Sequence, residues 1–283
     1  MTPKGKLIII GGHEDKGIEG ESLNIAKQKN SVPHPHLEIL SELISTIPRQ
    51  HHIIEIIATA SAIPAQMEDI YQKAYKAAGF THVAFIRIEN KTQANDIAFI
   101  KRIKTCHAVF FTGGDQNRLT DTLNDTAVLT AIKHKYISDE HFIVAGTSAG
   151  AMAIPETIIG GGIIREVLLN EDIRMSKGFN FIANILVDTH FIKRGRFTRL
   201  AHAVALNPTL LGIGLGEDTA LIISNGNEAV CKGSGMVIII DGSKIEKTNI
   251  TTVNAETPIV IENLVVHIIA EGSVFMMKEK KFN

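Results

Sequence analysis

The sequence predicts an α/β fold: a doubly wound, mostly parallel sheet flanked by helices, with a strand-rich carboxyl-terminal part. Three observations lead there. Short apolar, β-branched runs recur through the first half of the chain, segments with helical spacing separate them, and beyond about residue 205 the texture changes to closely spaced strands with tight-turn dipeptides.

The runs at 7–10, 53–58, 83–88, 108–111 and 142–145 are each bounded by glycine or polar residues and read as buried parallel strands. Helical spacing falls between them at 36–47, 64–78, 94–103 and 119–134, which completes a β-α-β-α alternation. A further buried strand is expected over 185–191. The later strands are expected at 211–215, 220–224, 229–232, 237–241 and 264–269, with Asn225-Gly226 and Asp241-Gly242 as turn signals. No internal repeat, low-complexity tract or Pro/Gly/Ser-rich linker interrupts the chain, so residues 1–283 are expected to form one domain.

Composition narrows the function. With 29 Lys+Arg against 30 Asp+Glu the formal charge is −1, and 45% of residues are hydrophobic, so nothing global recommends nucleic acid or an anionic membrane as partner. The two cysteines, Cys106 and Cys231, are far apart and lack CxxC spacing or adjacent histidine pairs, which argues against a disulfide framework and against zinc. The apolar run at 7–10 is too short for a signal-peptide core, and no stretch nears the roughly 18 apolar residues that span a bilayer. A soluble cytoplasmic protein is the expectation.

Chemistry concentrates where strands end. The strand at 142–145 runs into Gly146-Thr147-Ser148-Ala149-Gly150, a GxSxG pattern shaped like a nucleophile elbow. A nucleophile on a strained turn needs neighbours without bulk, and the helix start behind it offers N–H groups to a developing oxyanion. The bare pattern arises by chance in roughly one chain of this size in ten, given average glycine content. The strand before it and the small residues after it carry the weight; a plain strand-helix turn or a phosphate loop is the competing reading.

A second strand stops at Gly113-Gly114 before Asp115-Gln116. In an open parallel sheet such ends share a crevice. The glycines bring N–H groups toward an oxygen attacked by Ser148, and Asp115 or Gln116 reach substrate, although Asp115 serves equally well as a helix cap.

Of 12 histidines, most, such as His34, His36, His51, His52 and His134, lie in polar or loop-like surroundings suited to solvated side chains. His190 differs, because it ends the buried run at 185–191 beside Asp188. Lys193, Arg194, Arg196 and Arg199 follow it closely, a cationic cluster in a neutral chain. Planar guanidinium forks suit carboxylates, which suggests an acidic group on the substrate; surface solvation is the bland alternative for each arginine. The base needs an acidic orienter. Glu217, at a strand junction among small residues, is preferred, with Glu166 as the rival, and spacing does not choose between them.

Taken together, Gly11-Gly12-His13-Glu14-Asp15-Lys16, the Phe111–Gln116 segment, the elbow, Asp188-Thr189-His190-Phe191, the arginine cluster and Gly216-Glu217-Asp218-Thr219-Ala220 resemble the cyanophycinases, serine peptidases of family S51 related to aspartyl dipeptidase E. The resemblance spans residues 11–220 in family order. It implies a fold related to class I glutamine amidotransferases, a Ser-His-Glu triad, no metal or organic cofactor, and a homodimer. The implied substrate is cyanophycin, a poly-aspartate backbone bearing arginine on each β-carboxyl, released as β-Asp-Arg by an exopeptidase. Carried over position by position, Ser148 is nucleophile, His190 base and Glu217 orienter. Gly114 and Ala149 donate oxyanion-hole N–H groups, and Gln116, Arg196 and Arg199 line the substrate pocket. Two departures stand out: Thr189 where the family often has Gln, and His13 where alanine is commoner. The neighbouring alternative is an α-aspartyl dipeptidase or another β-aspartyl peptidase of the same clan; a non-enzymatic anion binder is the alternative from a different class.

Overall fold

The computed structural model of the chain describes residues 2–17, 37–45, 53–80, 82–162 and 168–283. Five parallel strands form its centre: β1 (Lys6–Ile10), β2 (Ile53–Ile57), β3 (His82–Ile86), β4 (Ala108–Phe111) and β5 (Ile143–Thr147), in the spatial order β3-β2-β4-β5-β1. Between them run α1 (Glu38–Ser45), α2 (Pro64–Ala77), α3 (Ile97–Thr105), α4 (Gln116–Leu123) and α5 (Ala127–Ser138). The strands are apolar at consecutive positions because both faces are covered. Ile8, Ile10, Ile54, Ile56 and Phe110 face α1 and α2, packing on Leu40, Leu43, Tyr71 and Tyr75. Leu7, Ile9, Val109, Phe111 and Val144 face the other way, toward Ile103, Leu119, Leu123, Leu129 and Ile132 of α3 to α5. That is double winding, as the sequence predicts.

The expected single helix over 119–134 is two. Asp125 adopts a left-handed φ of 62°, and the Thr126 side chain caps a new helix by accepting from Leu129 N–H, so the chain breaks at Asn124–Thr126 between α4 and α5.

After β5 come the short helix α6 (Ala149–Ala153) and an antiparallel ribbon, β6 (Thr157–Gly162) with β7 (Ile173–Lys177). Next follow β8 (Ile185–Asp188), α7 (Phe197–Leu206), β9 (Leu211–Leu215), β10 (Thr219–Ser224), β11 (Glu228–Gly233), β12 (Val237–Asp241), the small pair β13 (Lys247–Thr248) and β14 (Ile261–Glu262), β15 (Val265–Ile269), β16 (Val274–Met276) and β17 (Lys281–Phe282). The expected strand over 185–191 stops at Asp188, and His190 turns out of it with a φ of 50°.

The later strands divide between two sheets. β10 pairs antiparallel with β1 and carries β11, β16 and β17 outward, extending the central sheet. β8, β9, β12 and β15 make a second sheet, in which β8 and β9 are parallel. One face of that sheet, with Val187, Ile213, Leu215, Val237 and Ile239, joins the core of the first; α7 covers the other through Leu200 and Val204. No helix among the described residues is long and apolar enough to cross a membrane.

Candidate active site

β1, β4, β5, β8 and β9 all deliver their carboxyl ends to one rim. Three successive carbonyls, from the last residue of β1 and the two after it, tie the loops there together. Ile10 O accepts from Ser148 N–H at 3.0 Å, Gly11 O from His190 N–H at 2.9 Å and Gly12 O from Asp218 N–H at 2.9 Å. The segment that closes the first strand therefore sets the backbone of Ser148 and His190 directly, and that of Glu217 through its neighbour.

Ser148 sits at φ 51° and ψ −115°, a sparsely populated conformation for a residue with a Cβ. Its surroundings hold it there. A Cβ on Gly146 would lie 2.6 Å from the Gly150 carbonyl carbon, and one on Gly150 would lie 2.1 Å from Phe111 O. Strand, turn and helix touch through backbone, which is the physical reason both glycines flank the serine.

Ser148 Oγ lies 3.0 Å from His190 Nε2, and His190 Nδ1 lies 2.8 Å from Glu217 Oε1. A carboxylate only accepts, so Nδ1 carries the proton and Nε2 is free to accept from the serine hydroxyl. Glu217 also accepts from Lys193 Nζ at 3.1 Å through Oε2. Burial pushes the His190 pKa down; the Glu217 hydrogen bond opposes this and the Arg194 charge adds to it, leaving the imidazole below its ordinary value. Burial would raise Glu217, but the hydrogen bonds from His190 and Lys193 outweigh it and hold the carboxyl low.

The N–H groups of Gly113, Gly114 and Ala149 have no acceptor among the described residues. Gly113 is so close to the elbow that a Cβ there would stand 3.8 Å from Ser148 Oγ. These N–H groups can serve an oxyanion beside the serine. Glu166, the rival acid, lies outside the described residues, as do His34, His36, His51 and His52.

The residues expected at the substrate fare differently. Asp115 caps α4, accepting from Asn117 N–H at 2.8 Å, and Gln116 Nε2 donates to Ile159 O at 3.0 Å. Arg199 is buried, with Nε on Asp188 Oδ2 at 2.8 Å and a terminal nitrogen on Asp188 Oδ1. Arg196 donates to Asp188 Oδ1 at 2.9 Å and Thr189 O at 2.8 Å. Asp115, Gln116 and Arg199 thus use their polar groups within the scaffold. Thr189 is fully buried, and its hydroxyl and Arg196 Nε find no partner among the described residues. Arg194 is exposed and has no ion-pair partner among the described residues.

Sequence reasoning missed the work of Glu14. This carboxylate is 1% exposed and accepts from Thr147 Oγ1 at 2.6 Å and Tyr71 OH at 2.7 Å, with Lys16 Nζ 3.5 Å away. It anchors Thr147, the residue before Ser148. An acid two residues after the Gly-Gly that follows the apolar run at 7–10 was the available signal.

A model of peptidase family S51 matches residues 29–230. The chain belongs to that family. Among S51 relatives, it is 31% identical to the cyanophycinase of Trichormus variabilis over 280 residues, covering 99% of this chain and 88% of that one. Identity to the cyanophycinase of Geminocystis herdmanii is 31% over 275 residues, covering 97% and 94%. A crystal structure of a peptidase from an acI-B1 actinobacterium shares the fold, with a TM-score of 0.67 at 22% identity over 98% of both chains.

Proposed function

We propose that this S51 peptidase hydrolyses cyanophycin to β-Asp-Arg dipeptides through a Ser148-His190-Glu217 triad. The observation that carries the reading is the continuous relay from Ser148 Oγ through both nitrogens of His190 to Glu217, at 3.0 and 2.8 Å. Ser148 Oγ attacks the scissile carbonyl while Nε2 takes its proton, and Glu217 stabilises the imidazolium. The N–H groups of Gly114 and Ala149 receive the oxyanion. Collapse of the tetrahedral adduct expels the amine, which takes the proton from Nε2; water then repeats the sequence on the acyl-enzyme and frees the acid.

The substrate assignment draws on the two cyanophycinases that match nearly the whole chain and on the local charge. Exposed Arg194, near enough to His190 to depress its pKa, has no ion-pair partner among the described residues and offers its fork to a substrate carboxylate. Thr189 Oγ1 and Arg196 Nε, close to the base in sequence, have no hydrogen-bond partner among the described residues. Arg199 contributes by holding Asp188, which in turn holds Arg196.

Purified protein should release β-Asp-Arg from cyanophycin, and Ser148→Ala should abolish release while the circular dichroism spectrum is retained. Undiminished turnover by that variant refutes the mechanism. Parallel assays with Asp-Leu and β-Asp-Leu decide the substrate; preference for free Asp-Leu means an α-aspartyl dipeptidase instead.

A further inference from the structure

His13 has no part in the relay, yet its ring stands edge-on to His190, with centroids 5.3 Å apart and planes at 79°. Its Nε2 is 3.8 Å from Glu217 Oε1, the oxygen that also faces His190 Nδ1. One donor atom from each of His13, His190 and Glu217 lies within 4.8 Å of the others. The His13 side chain is 58% exposed, so an ion can reach the cluster from solvent.

We propose that these three residues form an inhibitory site for a borderline-soft divalent cation of the zinc type, which locks the triad in an inactive tautomer. Two imidazoles and one carboxylate are a donor set that such ions favour over magnesium or calcium. Bonds of about 2.0–2.2 Å at tetrahedral angles need donors about 3.4 Å apart. The 2.8 Å contact opens and the 3.8 Å contact closes by about half an ångström to reach this. The fourth position is left to water. Lys193 sits on the opposite carboxylate oxygen, Oε2, and leaves Oε1 to the ion.

Coordination changes the chemistry of His190. Its Nδ1 must present a lone pair to the metal, so the proton now on Nδ1 is lost to solvent and another is taken up at Nε2, with no net change in the ring. Nε2–H then donates to Ser148 Oγ and no longer accepts from it. The nucleophile loses its base. Ion binding stands on geometry alone; inhibition rests on His190 being the base as proposed above.

The test uses the full-length protein stripped with chelator and dialysed. Titration calorimetry with ZnCl2 should show an ion bound by wild type whose affinity falls at least roughly ten-fold in His13→Ala and in His13→Gln. Cobalt(II) should give the visible absorption of a tetrahedral His-containing site in wild type alone, and Mg2+ should give no binding heat. In turnover assays ZnCl2 should inhibit wild type, EDTA should restore it, and each His13 variant should resist inhibition relative to its own metal-free rate by the same factor. Equal zinc affinity and equal inhibition in wild type and both variants overturn the proposal. If no peptide is turned over, the function proposed above fails, while calorimetry and cobalt spectra still decide whether the ion site exists.

Discussion

His190 meets two opposed demands, burial and a neighbouring carboxylate, and the balance sets the pH response. Desolvation, the Arg194 charge and the neighbouring His13 ring lower its pKa, Glu217 raises it, and the net direction is down from 6.5. As the proposed base, His190 works as neutral imidazole, which exists above that pKa. The acid limb of kcat/KM is therefore expected below pH 6.5, and a limb above 6.5 would contradict this electrostatic account. Glu217→Gln keeps the shape of the orienter but removes its charge and its claim on the Nδ1 tautomer. Turnover should fall by roughly 10⁴, the scale of loss when a triad acid is neutralised. Glu166→Gln serves as the control and should show no comparable loss, because Nδ1 already has a partner 2.8 Å away. Asp188 belongs to stability more than to chemistry. It is fully buried and accepts from Thr189 N–H, Arg196 and Arg199. Asp188→Ala strands two cations in the interior and should cost about 3–5 kcal/mol, read as a lowered midpoint in urea. A shift below about 1 kcal/mol would mean the arginines find other partners.

Among the elements, the elbow was legible because its chemistry is local. A buried strand, a GxSxG turn and a small-residue helix are contiguous, and only backbone contact explains the glycines. His190 was legible as lying at or near the end of a buried run, although the strand stops at Asp188, three residues short of the expected 191. The buried residues Thr189, His190 and Phe191 belong to a turn that places Phe191 under α7, and burial alone does not distinguish a turn from a strand. The break between α4 and α5 was hidden for a similar reason. Leu119, Leu123, Val128, Leu129 and Ile132 all reach one core, so their spacing reads as a single helix, and only the left-handed Asp125 and the Thr126 cap divide it. The loop after β1 is legible only as the Gly11–Lys16 motif, since the ties made there to Ser148 and His190 are carbonyl hydrogen bonds that no side-chain pattern encodes. Gly12→Ala tests that loop. Gly12 has a φ of +95°, and a Cβ there would sit 2.5 Å from His190 Cε1. The imidazole must move off Ser148, so labelling of the serine by a fluorophosphonate should slow by at least ten-fold while the folded state persists. Wild-type labelling would show that the loop yields instead of the ring.

At the scale of the whole molecule, the sequence announces a strand-rich second half but not its partition between sheets. β9 and β10 are consecutive and both largely apolar, yet one joins β8 and β12 while the other pairs across the chain with β1, placing Leu7 opposite Ile223. Such long-range pairing is fixed by which face each strand must bury, and composition is the same for either choice. The consequence is that the core on the α3–α5 face of the central sheet gathers residues from the amino-terminal strand, those helices and both sheets. Cys106 and Cys231 lie in that core, both at 0% exposure, one before β4 and the other in β11 of the antiparallel extension. Burial pushes both thiols up to about 12, Lys135 only partly offsetting it at Cys106 and Lys232 at Cys231. At pH 8 each is therefore almost entirely thiol, and the thiolate is the species that reacts. Native protein should show no fast reaction with a disulfide reagent, and both cysteines should react together in denaturant. If the core is cooperative, the slow native rate should fall to the same extent at both sites when stability is raised and rise equally with Asp188→Ala. Preferential labelling of Cys231 would instead mark the antiparallel extension as a unit that opens before the parallel sheet, and Cys106 would report the later, global event.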